Sequence, residues 1–458
     1  MRGMKGLYVA ALLWTLSGSA EELPTGRVIE KMACREQPAN TYALYLPSGY
    51  TAARKWPVVY AMDARYRALV PMSAFRAAAE RLGVIIVSSY DTSSDGDSGP
   101  SVAAMRAMWS DTHLRLSIDD HRVYLAGFSG TVRTACYLAL SAPGTVTGII
   151  GAGAGFPSDR RPGRDTPFLF FGTAGVRDFN YVELNDLDAE LTALRLPHRI
   201  EFFDGTHQWM PPELAGEALD WMEVQALAAG TREKDPKLVE ALWSADLNRA
   251  RALESSGNLI DAARLYAAMA ADYAPLRDVS DASAAAARLR QSPEYPLRVS
   301  ARQRALRTEK DYLALAQKTL ASTTAADAAI GQLRIASLRK DAAGTGEQGL
   351  AAVRMLASLF VQTSYYIPRQ MVEEKKYARA VFFLTIAAAI RPDESEVHYD
   401  LAAAQALAND PRASLRELRR AVSLGFHDAN RIEHDPDFAP LRENDELKAI
   451  IAGLRSAP

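Results

Sequence analysis

Cysteine is scarce in this sequence, with Cys34 and Cys136 the two among 458 residues. Two cysteines cannot build a disulfide framework, and the absence of a Cys-x-x-Cys pair argues against a zinc site. We therefore predict no metal site and no cofactor. In an oxidising compartment the two cysteines could form one disulfide, and two separate buried thiols are the alternative.

An excess of either charge is also missing. The chain has 53 Lys and Arg against 55 Asp and Glu, a formal net charge of -2. This balance argues against nucleic acid as a partner. Hydrophobic residues make up 48% of the chain, which is enough for a large core. At about 100–200 residues per domain, the length predicts two to four domains.

Long apolar runs are absent after the first twenty residues. At the start, Arg2 and Lys5 precede an apolar run at residues 7–16 and the small residues 18–20. This pattern predicts a signal peptide at residues 1–20, because the run is shorter than the roughly 20 apolar residues that span a bilayer. An amino-terminal anchor or a buried strand is the alternative. We expect an exported protein, periplasmic or extracellular, with no membrane contact after signal removal.

The composition changes near residue 229. Before it, short runs rich in Val, Ile, Tyr and Phe alternate with amphipathic stretches, which predicts a mostly parallel sheet with helices on both faces. We predict an α/β domain at residues 21–229 and a helical domain at 230–458. The predicted strands cover residues 42–46, 57–61, 84–88, 123–126, 146–151, 168–171 and 198–203.

The helical domain is alanine-rich, with predicted helix breaks at Pro293, Pro296 and Pro392. A 34-residue period relates Ala380, Leu384 and Ala387 to Ser414, Leu418 and Ala421. The spacing resembles tetratricopeptide repeats, which stack into a solenoid, although it is clear only in the last third of residues 236–426. An alanine-rich helical bundle is the alternative. We expect this domain to bind a protein partner.

A candidate nucleophile lies where a predicted strand meets a predicted helix. The strand ending at residue 126 runs into Gly127-Phe128-Ser129-Gly130. Flanking glycines permit the sharp turn of a nucleophile elbow, which holds a serine hydroxyl at a helix amino terminus. The backbone N–H of Gly130 would then face the oxyanion. A helix-capping role for Ser129 is the alternative.

The candidate acid and base follow later strands of the same sheet. Asp178 comes after the strand at 168–171, and His207 after the strand at 198–203. Parallel strands end at one edge of a sheet, so both should approach Ser129. The order Ser, Asp, His is that of α/β-hydrolases, with His207 as base and Asp178 as its orienting acid. His207 could instead be an ordinary loop residue, and the alternative acids are Asp186, Asp188 and Asp204.

These motifs carry a resemblance to a family. Residues 41–229 resemble secreted serine esterases of the α/β-hydrolase fold, in the branch of polyhydroxyalkanoate depolymerase-like and feruloyl or acetyl-xylan esterase-like proteins. Residues 41–47 and 57–65 resemble two of its strands, and the resemblance implies a second oxyanion donor at the N–H of Ala64 or Arg65. One departure is Thr131, where the family has glycine, and we expect its side chain to strain the turn.

The sequence thus predicts an exported serine hydrolase that cleaves a small carboxylic ester, with a peptide bond as the second choice. Trp209, Arg133 and Asn180 are candidate substrate-binding residues, although core packing is the favoured alternative for an aromatic residue such as Trp209. A catalytically silent scaffold that assembles through the helical repeats is the alternative function. We expect ester hydrolysis to survive removal of the helical domain.

Overall fold

The computed structural model describes residues 23–94 and 96–456, so the predicted signal peptide lies outside the described residues. The described part of the chain contains one eight-stranded sheet followed by helices. The strands are β1 (Val28–Ala33), β2 (Thr41–Tyr45), β3 (Trp56–Met62), β4 (Ile85–Ser89), β5 (Ile118–Phe128), β6 (Gly148–Ala152), β7 (Leu169–Gly175) and β8 (His198–Phe203).

The sheet has the strand order β1-β2-β4-β3-β5-β6-β7-β8. β1 and β2 pair antiparallel with each other and β2 with β4, whereas the neighbours from β4 to β8 pair in parallel. Every predicted strand is present, and β1 is an additional strand that the sequence did not predict. Its residues Glu30 and Lys31 are exposed, as suits an edge strand, so β1 lacks the apolar run of the inner strands.

Five helices cover the two faces of this sheet: α1 (Leu69–Leu82), α2 (Gly99–Arg115), α3 (Gly130–Ser141), α4 (Tyr181–Leu194) and α5 (Pro212–Ala229). Alternate residues of β3 point to opposite faces. Val58 and Tyr60 pack in the core with α2, α3 and α4, while Val59 and Ala61 pack with α1 and α5. The predicted α/β-hydrolase architecture, a mostly parallel sheet with helices on both faces followed by an all-helical region, is confirmed.

The remaining described residues are helical. The helices are α6 (Pro236–Ser255), α7 (Leu259–Asp272), α8 (Ser280–Gln291), α9 (Glu294–Ser322), α10 (Ala326–Gln332), α11 (Ile335–Ala342), α12 (Gly346–Val361), a π-helical turn (Gln362–Tyr366), α13 (Ile367–Glu373), α14 (Tyr377–Ile390), α15 (Ser395–Leu407), α16 (Pro411–Ser423), α17 (Ala429–His434), a 3₁₀ helix (Pro436–Leu441) and α18 (Asp445–Ser456). Across residues 23–94 and 96–456, none of the helices combines the length and the apolar character needed to cross a membrane.

Two of the three predicted helix breaks coincide with helix ends. α8 ends at Gln291, before Pro293, and α14 ends at Ile390, before Pro392. Pro296 instead lies in the first turn of α9. Backbone N–H groups there have no partner within the helix, so a proline removes no helical hydrogen bond.

The two cysteines are separate, buried thiols. Burial raises the pKa of the Cys34 thiol to about 11 and also raises the pKa of Cys136. Of the two alternatives, the structure therefore has free thiols, both held in the protonated, unreactive form.

A buried ion-pair cluster joins the sheet to the helical region. Arg199, on the last strand β8, contacts Asp246 of α6 at 3.0 Å and Asp272 of α7 at 2.9 Å. Burial alone lowers the pKa of an arginine, but the two carboxylates outweigh it and raise the pKa of Arg199. Trp221 of α5 also donates its indole N–H to Asp272, at 3.1 Å. The helical region is therefore attached directly to the sheet through buried charge.

Candidate active site

Ser129 occupies a sharp turn between β5 and α3. Its backbone angles are φ 56° and ψ -130°, a region that residues other than glycine rarely adopt. The flanking glycines make this turn possible. A Cβ on Gly127 would lie 2.7 Å from the Val132 backbone nitrogen, and one on Gly130 would lie 2.6 Å from Ser94 Cβ. The turn thus has the strained backbone of a nucleophile elbow.

Thr131 is part of the turn rather than an obstruction to it. Its side chain is fully buried, and its Oγ1 accepts a hydrogen bond from the Phe128 N–H at 2.9 Å. The same hydroxyl donates to the Met62 carbonyl at 2.7 Å. The strain expected from this residue is therefore offset by hydrogen bonds that tie the turn to the end of β3.

The structure brings Ser129, His207 and Asp178 together. The Ser129 Oγ lies 2.9 Å from His207 Nε2, and His207 Nδ1 lies 2.9 and 3.0 Å from the two carboxylate oxygens of Asp178. The ring centroids of Phe128 and Phe179 lie 4.8 and 4.2 Å from that of the imidazole. Contacts with both rings and with the carboxylate restrict the imidazole orientation. This arrangement can move a proton from Ser129 to His207.

The loop after β7 fixes the carboxylate of Asp178, which is fully buried. The Asn180 N–H donates to Asp178 Oδ1 at 2.8 Å, and the Asn180 side chain donates to the Gly153 carbonyl at 2.6 Å. A Cβ on Gly153 would lie 2.9 Å from His207 Cε1 and 3.1 Å from Asp178 Oδ2. Asn180, predicted to bind substrate, therefore orders this loop, and Gly153 leaves room for the pair.

The other acidic candidates each have a different partner. Asp186 contacts Lys310, Asp188 contacts His198, and Asp204 contacts Arg177, at 2.6, 3.3 and 2.5 Å. The fold therefore places Asp178, and none of these three, against His207.

The three expected oxyanion donors differ in whether their N–H group already has an acceptor. Within the described residues, no acceptor is recorded for the N–H of Gly130 or of Ala64. The N–H of Arg65 is already used, because it donates to Asp63 Oδ1 at 2.8 Å. Ala64 lines the same cavity as Ser129. Of the three predicted donors, Arg65 is thus committed to Asp63, and Gly130 and Ala64 stay the candidates for an oxyanion.

Asp63 holds the loop that carries Ala64, a role the sequence did not reveal. Its fully buried carboxylate accepts hydrogen bonds from the Arg67 side chain at 3.0 and 3.1 Å and from the Trp209 indole at 2.8 Å. Burial raises the pKa of Asp63, but these hydrogen bonds outweigh it and the pKa is lowered. No sequence pattern indicated this role, because residues 63–67 form an irregular turn between β3 and α1 rather than a helix.

Trp209 and Arg133 do not line the cavity around Ser129 in the described part of the chain. Trp209 is buried, with its indole on Asp63 and its ring against Phe128. Arg133 pairs with Glu183 at 2.7 Å. Trp209 is thus a core residue that supports the site, which agrees with the core-packing alternative to substrate binding.

The cavity that contains Ser129 and His207 has a volume of about 590 Å³. One side is formed by the end of β5 and by the loops that follow β3, β4, β7 and β8, because parallel strands end at one edge of the sheet. The other side is formed by residues after 340, which the sequence did not connect with the site. Within residues 23–94 and 96–456, no group of three or more His, Cys, Asp or Glu side chains is placed to hold a metal ion.

Comparisons with known proteins are distant. No protein-family model and no curated protein matches the chain. Among solved structures, the S-formylglutathione hydrolase FrmB of Staphylococcus aureus is 14% identical, with a TM-score of 0.33 over 40% of this chain and 90% of its own. A ferulic acid esterase is 14% identical, with a TM-score of 0.34 over 42% of this chain and 94% of its own.

A third structure, Est1E of Butyrivibrio proteoclasticus, is 12% identical, with a TM-score of 0.32 over 41% of this chain and 95% of its own. These likenesses are too distant to assign an activity or a substrate to this chain.

Proposed function

We propose that this protein is a serine hydrolase that cleaves a carboxylic ester, with Ser129 as nucleophile, His207 as general base and Asp178 as the orienting acid. One observation carries the proposal: the Ser129 hydroxyl, on a strained turn, lies 2.9 Å from an imidazole whose other nitrogen contacts a buried carboxylate. An ordinary helix cap requires neither the strain nor the two partners.

The proposed reaction has two halves. Ser129 Oγ attacks the ester carbonyl carbon while its proton passes to His207 Nε2, and the N–H groups of Gly130 and Ala64 stabilise the oxyanion. The carbon–oxygen bond to the alcohol then breaks, and His207 gives the alcohol its proton. Water attacks the acyl-serine by the same route, which releases the acid and restores the serine hydroxyl.

The alternative of a silent scaffold was suggested by Thr131. The hydrogen bonds of Thr131 to Phe128 and Met62 support the enzyme instead, since they hold the turn in place. A peptide bond remains the second choice of substrate.

Export and the repeats are separate proposals. The charge and apolar run of residues 1–20 support a signal peptide. The packing of α14 on α15 and of α15 on α16, with Ala380 and Ser414 fully buried, supports tetratricopeptide-like pairs. Such repeats could also take a protein partner at surfaces away from the sheet.

The test is hydrolysis of p-nitrophenyl acetate by the wild-type protein and by Ser129→Ala. We expect the wild type to hydrolyse it and the variant to lose at least about 10³-fold in rate with an unchanged melting curve. Ser141, an exposed residue at the other end of α3, supplies the matched control, and Ser141→Ala should retain activity. Equal rates for wild type and Ser129→Ala would defeat the proposal.

A further inference from the structure

The cavity over Ser129 is closed by α12 of the helical region. Five apolar residues of this helix line it, at the spacing of one helical face. They are Val353, Leu356, Ala357, Phe360 and Val361. They lie across the cavity from Ser129 and His207, although they are far along the chain.

α12 has a second apolar face, which accounts for its packing among the other helices. Ala351, Ala352 and Met355 lie in a core cluster with Ala305 of α9, and Leu359 lies in another with Leu320. A helix that packs in a core needs one apolar stripe. Leu356 and Phe360 also contact these clusters, whereas Val353, Ala357 and Val361 belong to none of them and line the catalytic cavity.

The helix continues into the π-helical turn Gln362–Tyr366, which also lines the cavity. Ser364, Tyr365 and Tyr366 are its lining residues. A π-helical turn is rare, and it is frequently found at functional sites. Here it brings two tyrosine side chains to the cavity.

Arg354 fixes α12 relative to the catalytic residues. This fully buried arginine pairs with Glu309 at 2.8 Å and donates to the Val176 carbonyl at 2.9 Å. Val176 lies two residues before Asp178, in the same loop. The position of α12 over Ser129 is therefore coupled to the loop that holds the acid.

A larger cavity, of about 1440 Å³, lies between the two regions, but neither Ser129 nor His207 lines it. A substrate that reacts with Ser129 must therefore occupy the smaller one. Its 590 Å³ is within the roughly 300–1,000 Å³ of small-molecule sites.

We infer that α12 and the π-helical turn form the substrate-selecting wall of the hydrolase, and that the substrate is a compact ester whose acyl group carries a bulky apolar end. This inference rests on the proposed function for the reaction at Ser129. The wall itself rests on the apolar stripe, which gains free energy by burying an apolar group of the ligand.

The test places a larger side chain on α12, so that it fills part of the cavity. Ala357→Trp places a large ring among the lining residues, and Ala321→Trp, on the exposed end of α9, is the matched control. We expect Ala357→Trp to lower kcat/KM for p-nitrophenyl 4-phenylbutanoate at least about tenfold relative to p-nitrophenyl acetate. The ratio should not change in Ala321→Trp. An unchanged ratio in a folded Ala357→Trp protein would overturn the inference.

A binding measurement separates this inference from the proposed function. In a Ser129→Ala background, we expect 4-phenylbutanoate to bind in calorimetry, and Ala357→Trp to raise its Kd at least about tenfold while Ala321→Trp leaves it unchanged. Absence of binding, or equal Kd values with and without Ala357→Trp, would contradict the inference that α12 forms a wall of the substrate site. A third outcome is that Ala357→Trp weakens binding but the wild-type protein hydrolyses neither ester. This outcome would support the substrate-selecting wall and would defeat the proposed function.

Discussion

The two regions of the molecule differ in where they bury charge. In the sheet-containing region, Asp63 and Asp178 are buried at the carboxyl ends of strands, beside Ser129, and Asp111, Arg199 and Glu223 are buried elsewhere. In the helical region, the buried carboxylates and arginine are Asp246, Glu309 and Arg354, and they serve the contact with the sheet-containing region. Buried charge is unfavourable unless it is paired. The helical region therefore bears this free-energy penalty where it meets the sheet, whereas the sheet-containing region also bears it at sites of its own, such as Asp111 with Arg115.

This difference bears on the expectation that the regions are separable. A cut after Ala229 would leave Arg199 without its two carboxylates and would expose Val224 and Leu227, which pack with α6 and α7. It would also remove the wall over Ser129. We now expect the fragment to lose stability and substrate selectivity, in contrast to the sequence-based expectation of a self-sufficient hydrolase.

The largest effect should come from the catalytic pair of the sheet-containing region. Ser129→Ala and His207→Ala should each lower kcat by as much as about 10⁶-fold, because the two residues act as one unit. The double variant should be no slower than either single variant. Steady-state rates with a p-nitrophenyl ester measure this, and additive losses would contradict a shared proton transfer.

The next effect concerns the acid. Asp178→Asn should lower kcat by about 10⁴-fold, since the asparagine would no longer hold His207 in the required tautomer. Asp204→Asn is the control, because Asp204 contacts Arg177 and is not placed against His207. The two variants are compared by kcat with the same ester. A larger loss in Asp204→Asn would mean that the acid has been misassigned.

Loss of Arg199 from the ion-pair cluster between the sheet and the helical region should lower the stability of the protein. Arg199→Ala leaves Asp246 and Asp272 without their arginine in a largely buried place, so the free energy of unfolding should fall by about 3–5 kcal/mol. Arg288→Ala, which removes an exposed ion pair with Glu254, should change it by less than about 1 kcal/mol. Urea denaturation measures both. Similar losses of unfolding free energy in the two variants would mean that the buried ion-pair cluster does not stabilise the protein.

The smallest effect should come from Thr131. Thr131→Val keeps the shape of the side chain but removes the hydroxyl, which leaves the Phe128 N–H without its acceptor. We expect a loss of about 1–3 kcal/mol in the free energy of unfolding. Thermal denaturation checks this value, and Thr134→Val on the same helix is the control, since its hydroxyl makes a weak 3.5 Å contact. Unchanged or greater stability in Thr131→Val would mean that the hydrogen bonds of Thr131 do not stabilise the turn.

The sheet could be predicted because its inner strands are continuous apolar runs. The grouping of Ser129, Asp178 and His207 could be predicted because each follows a parallel strand, and parallel strands end at one edge. Asp178 was the predicted acid, but Asp204 stayed an alternative to it, since both lie in loops after strands. The choice needed the path of each loop.

The wall over the active site could not be predicted either. Leu356 and Phe360 have the spacing of core residues in any amphipathic helix, and nothing local distinguishes a face that lines a cavity from one that packs in a core. Only the docking of the helical region, through Arg199 and Arg354, places α12 above Ser129.

The central claim, that Ser129 is the nucleophile, is tested most directly by a fluorophosphonate that forms a covalent bond with an activated serine. The protein is labelled, digested, and the modified peptide is identified by mass spectrometry. We predict one adduct, on Ser129, and its loss in His207→Ala. An adduct on Ser94 or Ser364, which line the same cavity, or labelling that is unaffected by His207→Ala, would contradict the account.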